Sequence, residues 1–195
     1  MSLPPFALHV RQRLDGRAPR PLPARGLARA SVLVPIVCPP GGEPSVWLLR
    51  KRSDLRRHAG QVALPGGKIE PGETPLEAAL RETHEEIGLA PEAVTVLGAL
   101  DPYLTLTTTF LVSPFVGYVP HELRPSPDEH EVAHVFAAPL ALFARSPTFR
   151  LRGAPGWPLP IAVYEVGGEV VWGLTAAILR GLARRVLGPG AGPRG

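Results

Sequence analysis

Three glutamates, Glu82, Glu85 and Glu86, fall within the short stretch RETHEEIGLA, residues 81 to 90. Residues three and four apart share one side of an α-helix, so this spacing gathers three negative charges close together. Each like-charged pair costs about 0.2 to 0.5 kcal/mol, and a place in the last turns, where free carbonyls already carry partial negative charge, adds about 0.3 to 1 kcal/mol per exposed charge. Local violations of this kind mark functional sites. A hard divalent cation such as magnesium takes oxygen ligands and turns such a penalty into binding energy. The bland alternative is a solvated acidic face.

The elements around the glutamates are written plainly. In TPLE, Thr74 is an N-cap, Pro75 opens the helix and Glu77 closes a capping box. Gly88 is the stop, which predicts a helix from about Pro75 to Ile87. On a helical wheel Leu76, Leu80, Thr83 and Ile87 lie within about 60°, and Glu82, Glu85 and Glu86 within about 100° on the opposite side. One face is expected to pack inward while the other presents carboxylates. Ahead of the helix, GQVALPGGKIEPGETP reads as a loop whose Gly66-Gly67 pair permits close backbone approach and whose carbonyls could complete a metal shell.

The 195 residues are 45% hydrophobic, with a mean hydropathy of +0.09, which suits one folded domain with a real core. Residues 1–187 are read as that domain, with a helical extension at PFALHVRQRL, and 188–195 as a flexible tail. MSLPPFALHVRQRLDG does not read as a signal peptide, and no apolar run approaches the roughly 20 residues a spanning helix needs, so a cytoplasmic location is expected. Cys38 is the sole cysteine, which excludes an internal disulfide and a cysteine-rich metal site; it reads as a buried small hydrophobe. Only Lys51 and Lys68 are lysines, and the one dense cationic run is RKRSDLRRH, residues 50 to 58. His9, His84, His121, His130 and His134 show no ligand-like grouping. Trp157 and Trp172 read as core, or alternatively as flanks of a substrate entrance.

Strands are expected at 31–37, 45–52, 94–103, 107–119, 130–139 and 161–166, where apolar and branched residues lie between turn signals. A second helix is expected at LTAAILRGLARRVL, with Leu174, Ile178, Leu182 and Val186 on one face. Elements mixed without a regular βαβ rhythm indicate an α+β domain.

The segment GKIEPGETPLEAALRETHEEIGL, Gly67 to Leu89, resembles the signature of the Nudix hydrolases. Every charged and glycine position agrees; Thr83 stands where an aliphatic residue is usual and is expected to affect packing more than chemistry. The resemblance implies an α/β/α sandwich around a mixed sheet and a reaction in which water attacks a diphosphate joined to another group. It implies Glu82 and Glu86 as ligands of magnesium or manganese, Glu85 as a third ligand or the base, and the Gly67 carbonyl as a further ligand. Arg81 and Glu73 become a catalytic and supporting pair bracing loop against helix, next to Gly66. Glu131, in SPDEHEVAHVF, is either a distal base or an exposed turn glutamate, and which carboxylate takes the proton stays open.

Upstream, LLRKRSDLRRHAGQVALPGG is similar to the motif of the coenzyme A pyrophosphatase branch, through Leu48, Leu49, Arg52, Ser53, Arg56, Gly60, Pro65, Gly66 and Gly67. It departs at Arg50, at Leu64 and in a spacer one residue short. The resemblance implies coenzyme A or a derivative as the small-molecule substrate. Arg50, Lys51, Arg52, Arg56, Arg57 and His58 would then bind its diphosphate and 3′-phosphate, arginine forks suiting phosphate well. One alternative is a Nudix enzyme for another nucleotide, such as ADP-ribose, NADH or a nucleoside triphosphate. Another is a nucleic-acid-binding module on the same scaffold, disfavoured by the acidic constellation and the lack of an aromatic-interleaved basic stripe. No membrane partner is expected, and the sequence specifies no oligomeric state.

Overall fold

Strand β1 (Ala28–Val37) is apolar on both sides, and its alternation splits the core in two. Leu33 and Val37 face one cluster, with Trp47, Leu49, Ala79, Ile87 and Val132; Val34 and Ile36 face the other, with Val46, Leu48, Leu179 and Leu182. A strand buried on both faces belongs at the centre of a sheet covered on both sides. The computed structural model describes residues 2–16, 18–23, 26–55, 58–105, 110–152 and 159–188.

After α1 (Pro5–Leu14) and β1 come β2 (Ser45–Lys51), β3 (Val62–Ala63), β4 (Gly66–Lys68), α2 (Pro75–Ile87), β5 (Thr95–Ala99), β6 (Tyr103–Leu104), β7 (Phe110–Val119) and β8 (Val132–Pro139). Then follow β9 (Thr148–Arg152), β10 (Leu159–Val166), β11 (Glu169–Trp172) and α3 (Gly173–Leu187). The large sheet is mixed: β1 and β7 run parallel over ten residues, and the other pairings are antiparallel. Strands β9 to β11 form a second, antiparallel sheet. Helix α2 covers the first core cluster, while α1 and α3 pack on the second. The α+β sandwich expected from the sequence is the one observed.

Between β1 and β2 the sheet forks. They pair only at Ile36–Val46 and Val37–Ser45; beyond this β2 takes β3 as neighbour and β1 takes β4. The segment 62–68 therefore crosses the fork from one strand to the other. Gly66 makes the crossing possible: at φ 151° it lies so near β1 that a Cβ would stand 2.3 Å from the Ser31 carbonyl oxygen.

Helix α1 is tied to the end of α3. Arg13 of α1 donates from Nε and Nη2 to the Arg185 carbonyl at 3.0 and 2.9 Å, and His9 Nε2 lies 2.8 Å from that of Val186. Cationic or hydrogen-bonding side chains thus satisfy the free carbonyls closing α3. Ile178, Leu182 and Val186 are buried as expected, and Leu174 packs partly buried. The stretch read as one strand over 94–103 divides into β5 and β6. Strands β9 and β11 were not expected; both are short, and β9 leaves Phe149 and Leu151 60% and 71% exposed. The tail at 189–195 and Trp157 lie outside the described residues. Among the described residues no helix is long and apolar enough to cross a membrane.

Candidate active site

The start of α2 follows the sequence reading closely. Thr74 Oγ1 accepts from the Glu77 amide at 3.3 Å, and a Glu77 carboxylate oxygen accepts from the Thr74 amide at 2.8 Å, while Gly88 closes the helix at φ 70°. The C-terminal end is held by the loop before β8: the Asp128 and Ser126 amides donate to the Glu86 and Ile87 carbonyls at 3.0 and 2.9 Å. These bonds satisfy free carbonyls where the acidic side chains crowd. They also carry Asp128 and Glu131 to the carboxylates of α2.

Glu82, Glu85, Glu86, Asp128 and Glu131 line one cavity of about 40 Å³. Asp128 was not anticipated; the only sequence signal is its position three residues ahead of Glu131 in an acidic loop. The orientation of α2 also differs from the wheel reading. Ala79, Thr83, Glu86 and Ile87 are buried and Leu76 and Leu80 only partly so; Glu86 therefore lies within the packed stripe rather than opposite it. Its polar end is why: one carboxylate oxygen accepts from the Lys51 ammonium at 2.5 Å and the other from the Gly66 amide at 2.9 Å. Glu82 flanks this stripe and Glu85 is 57% exposed. Thr83 is wholly buried, its hydroxyl donating to the Ala79 carbonyl at 2.6 Å, so the departure from an aliphatic residue leaves no unpaired polar atom.

Arg81 is the hub between loop and helix. Its Nε and Nη2 donate to the two oxygens of Glu73 at 2.8 and 3.2 Å, its Nη1 to Glu82 at 3.1 Å and Glu85 at 2.9 Å, and its Nη2 also to the Lys68 carbonyl at 3.2 Å. All five guanidinium donors thus have a destination. Glu73 also accepts from the Glu70 amide at 3.0 Å, which shapes the loop itself. Gly67 backs onto Glu82 so closely that a Cβ there would come within 2.3 Å of its carboxyl group.

Burial raises the pKa of Glu82 and Glu86 above the ordinary carboxylate value, against the pull of Arg81 on the first and of Lys51 on the second. Lys51 is also raised: burial disfavours its charge, but Glu86 and Glu131 together outweigh that. The two directions are compatible, since Lys51 meets two carboxylates while Glu86 is more deeply buried and meets one ammonium. Arg81 is held above its ordinary value chiefly by its hydrogen bond to Glu73, and the same bond holds Glu73 below the ordinary carboxylate value.

The cationic residues separate. Lys51 shares the α2 side of β2 with Trp47 and Leu49, and its ammonium also reaches Glu131 at 2.9 Å. Arg50 points to the other side, pairing with Glu169 at 2.5 Å; Glu169 in turn meets His134 at 3.0 Å. Arg52 pairs with Asp54 at 2.6 Å and donates to the Glu129 carbonyl at 3.1 Å. His58, at φ 57°, places Nδ1 2.9 Å from Gln61 Oε1. Arg56 and Arg57 lie outside the described residues.

The donor set suits a hard cation. It is all oxygen, and the absence of a side chain at Gly67 leaves room for Glu82 to sit against the loop backbone. Glu82, Glu86 and Glu85, with the Gly67 carbonyl, could supply oxygen ligands to a divalent cation. As the side chains stand, with Glu86 held by Lys51 and Glu82 and Glu85 by Arg81, no three acidic or imidazole groups among the described residues converge on one point.

Residues 27–156 match the family model of the NUDIX domain. The chain is 44% identical over 162 residues to the "Uncharacterized Nudix hydrolase NudL" of Yersinia enterocolitica, covering 80% of each chain. To the protein of the same name from Pectobacterium atrosepticum it is 41% identical over 169 residues, covering 84% of this chain and 85% of the relative. Among solved structures, a NUDIX hydrolase from Alicyclobacillus acidocaldarius superposes with a TM-score of 0.55 at 20% identity, over 80% of this chain and 91% of that one, a likeness of fold.

Proposed function

The chain belongs to the Nudix hydrolase family, and on that premise we propose that it is a metal-dependent pyrophosphatase of coenzyme A or its derivatives. The products would be 4′-phosphopantetheine and adenosine 3′,5′-bisphosphate. The observation that carries this reading is the meeting of two opposite charge patterns at the fork: β2 delivers Lys51 to the rim of the cavity that α2 and the loop before β8 line with carboxylates. A site that takes both a cation and a diphosphate needs both signs of charge within reach.

Magnesium or manganese, when bound, neutralises phosphate oxygens and lowers the pKa of the attacking water. The protein's own part is positioning. Glu82 and Glu86 would hold the cation from α2, together with the Gly67 carbonyl of the crossing segment. Arg81 and Glu73 keep that segment in register with α2. The proton of the water goes to a carboxylate within hydrogen-bond reach, for which Glu85 and Glu131 are the candidates. Water adds to one phosphorus as the bridging oxygen leaves on the other, and no covalent enzyme intermediate is needed.

The choice of coenzyme A rests on the motif from Leu48 to Gly67 and on the cations it contains. Lys51, beside the carboxylate cavity, is proposed for the diphosphate. Arg52, whose partner Asp54 is an exposed carboxylate, together with Arg56, Arg57 and His58, is proposed for the 3′-phosphate. Arg50 is committed to Glu169 on the opposite side of the strand and contributes to the clamp only if that pair opens. A cytoplasmic setting, where coenzyme A is used, agrees with this reading.

The test is turnover of a panel of nucleotide diphosphates with magnesium or manganese, products being identified by mass. Coenzyme A is expected to be cleaved faster than its 3′-dephosphorylated form; equal turnover removes the case for the 3′-phosphate clamp, and preferred cleavage of ADP-ribose or NADH replaces the substrate. Glu82→Gln and Glu86→Gln are each expected to abolish most activity in a folded protein, and near-normal turnover by both refutes the assignment of ligands.

A further inference from the structure

The ammonium of Lys51 lies between two carboxylates of the cavity, Glu86 and Glu131. The side chain leaves the last residue of β2 and is 15% exposed, and its ammonium touches Glu86 at 2.5 Å and Glu131 at 2.9 Å. The other Glu86 oxygen is taken by the Gly66 amide. A divalent ion using Glu86 as a ligand would share an oxygen, or its immediate neighbourhood, with a positive charge already there. In a partly buried site such like charges repel strongly, because little water lies between them.

Two features allow the lysine to yield. Its four-carbon stem carries a compact charge that can swing without moving the backbone. The register of β2 against β8 is irregular between Arg50 and Lys51, so this end of the strand is less tightly specified by its ladder. Glu131, its second partner, is 55% exposed and can exchange the ammonium for water.

We propose that Lys51 is an internal counter-ion that braces Glu86 and Glu131 until a divalent cation displaces it, and that the displaced ammonium then serves a substrate phosphate oxygen. Cation loading would thereby prepare the site for the anion, giving an order of binding in which the metal precedes the diphosphate. This inference rests on the metal-dependent reading above.

The test uses the full-length protein and manganese alone. Lys51 and Lys68 are the only lysines, and Lys68 is exposed, so amine acylation read by mass spectrometry reports Lys51 against an internal reference. Lys51 labelling relative to Lys68 is expected to rise severalfold on adding manganese. Calorimetric titration is expected to show Lys51→Met binding manganese about tenfold more tightly than the wild type, and Glu86→Gln losing most affinity. Labelling of Lys51 that does not change with manganese, or a Lys51→Met affinity equal to or weaker than wild type, overturns the proposal, the labelling result standing even if the variant does not fold. Manganese binding that is absent, or indifferent to Glu86→Gln, overturns instead the metal-dependent reading on which it depends.

Discussion

Arg81 and Glu73 meet two-pronged, Nε to Oε1 at 2.8 Å and Nη2 to Oε2 at 3.2 Å, across eight residues of sequence that span the end of a loop and the middle of a helix. The pair ties the segment carrying Gly66 and Gly67 to the helix carrying the glutamates. Its value lies in geometry, since the same guanidinium also orients Glu82 and Glu85.

Arg81→Lys keeps the charge and loses the planar fork. Turnover is expected to fall about a hundredfold, the scale of a misplacement near 1 Å, with far-UV circular dichroism unchanged. Kinetics of the purified variant check this; a loss of less than a few-fold would show that charge alone suffices.

Acid removes one contribution to stability at the start of α2 and in the loop before it. Glu73 and Glu77 both have folded-state pKa values below the ordinary 4.5, from the Arg81 hydrogen bond in the first case and the Thr74 cap in the second. Depressed carboxylate values contribute stability that is complete above the unfolded pKa and disappears as pH falls through the folded one. Glu82 and Glu86, raised by burial, act with opposite sign, favouring the fold below 4.5 and less as pH rises. In denaturant midpoints measured on either side of pH 4.5, the change on going to the acid side is expected to be less unfavourable in Glu77→Gln, which retains the capping geometry, than in wild type.

Adjacent glycines should fail differently. A Cβ on Gly66 meets the Ser31 carbonyl at 2.3 Å and the Val32 Cα at 2.6 Å, both backbone atoms of the central strand that cannot move aside. Gly66→Ala is expected to destabilise the fold by about 3 kcal/mol or more. The atoms nearest a Cβ on Gly67 are those of the Glu82 carboxyl group, the far end of a side chain that can turn away. Gly67→Ala is therefore expected to keep its thermal midpoint while manganese affinity and turnover both fall. Thermal melts and metal titration of the two variants separate these outcomes.

Thr83→Val tests whether the departure from an aliphatic residue matters. The hydroxyl bonds the Ala79 carbonyl, which the helix already uses, so exchanging it for a methyl of similar shape is expected to change stability by less than about 1 kcal/mol. Unfolding midpoint and turnover should both remain near wild type.

Much of the helix was legible from local rules. The Thr74–Glu77 capping box and the left-handed stop at Gly88 act within a few residues of sequence, so the types and spacing alone specify them. Strands β1 and β2 were legible for the same reason, as runs of apolar and branched residues between turn signals. The face on which Glu86 lies was not. A wheel ranks residues by apolarity and sets a glutamate outward, whereas here the Lys51 ammonium and the Gly66 amide meet it from other elements and make burial tolerable.

By itself, then, the sequence determined which residues carry acid, base and positive charge, and where α2 begins and ends, because those depend on side-chain chemistry and on contacts between near neighbours. Only the tertiary structure decided that Lys51 and Arg50 part to opposite sides of β2, that Asp128 and Glu131 join the α2 carboxylates, and that the glycine segment crosses a fork between strands. Each of these depends on pairing between residues far apart in the chain, where register and side-chain direction set which charges meet, and no local pattern records that choice.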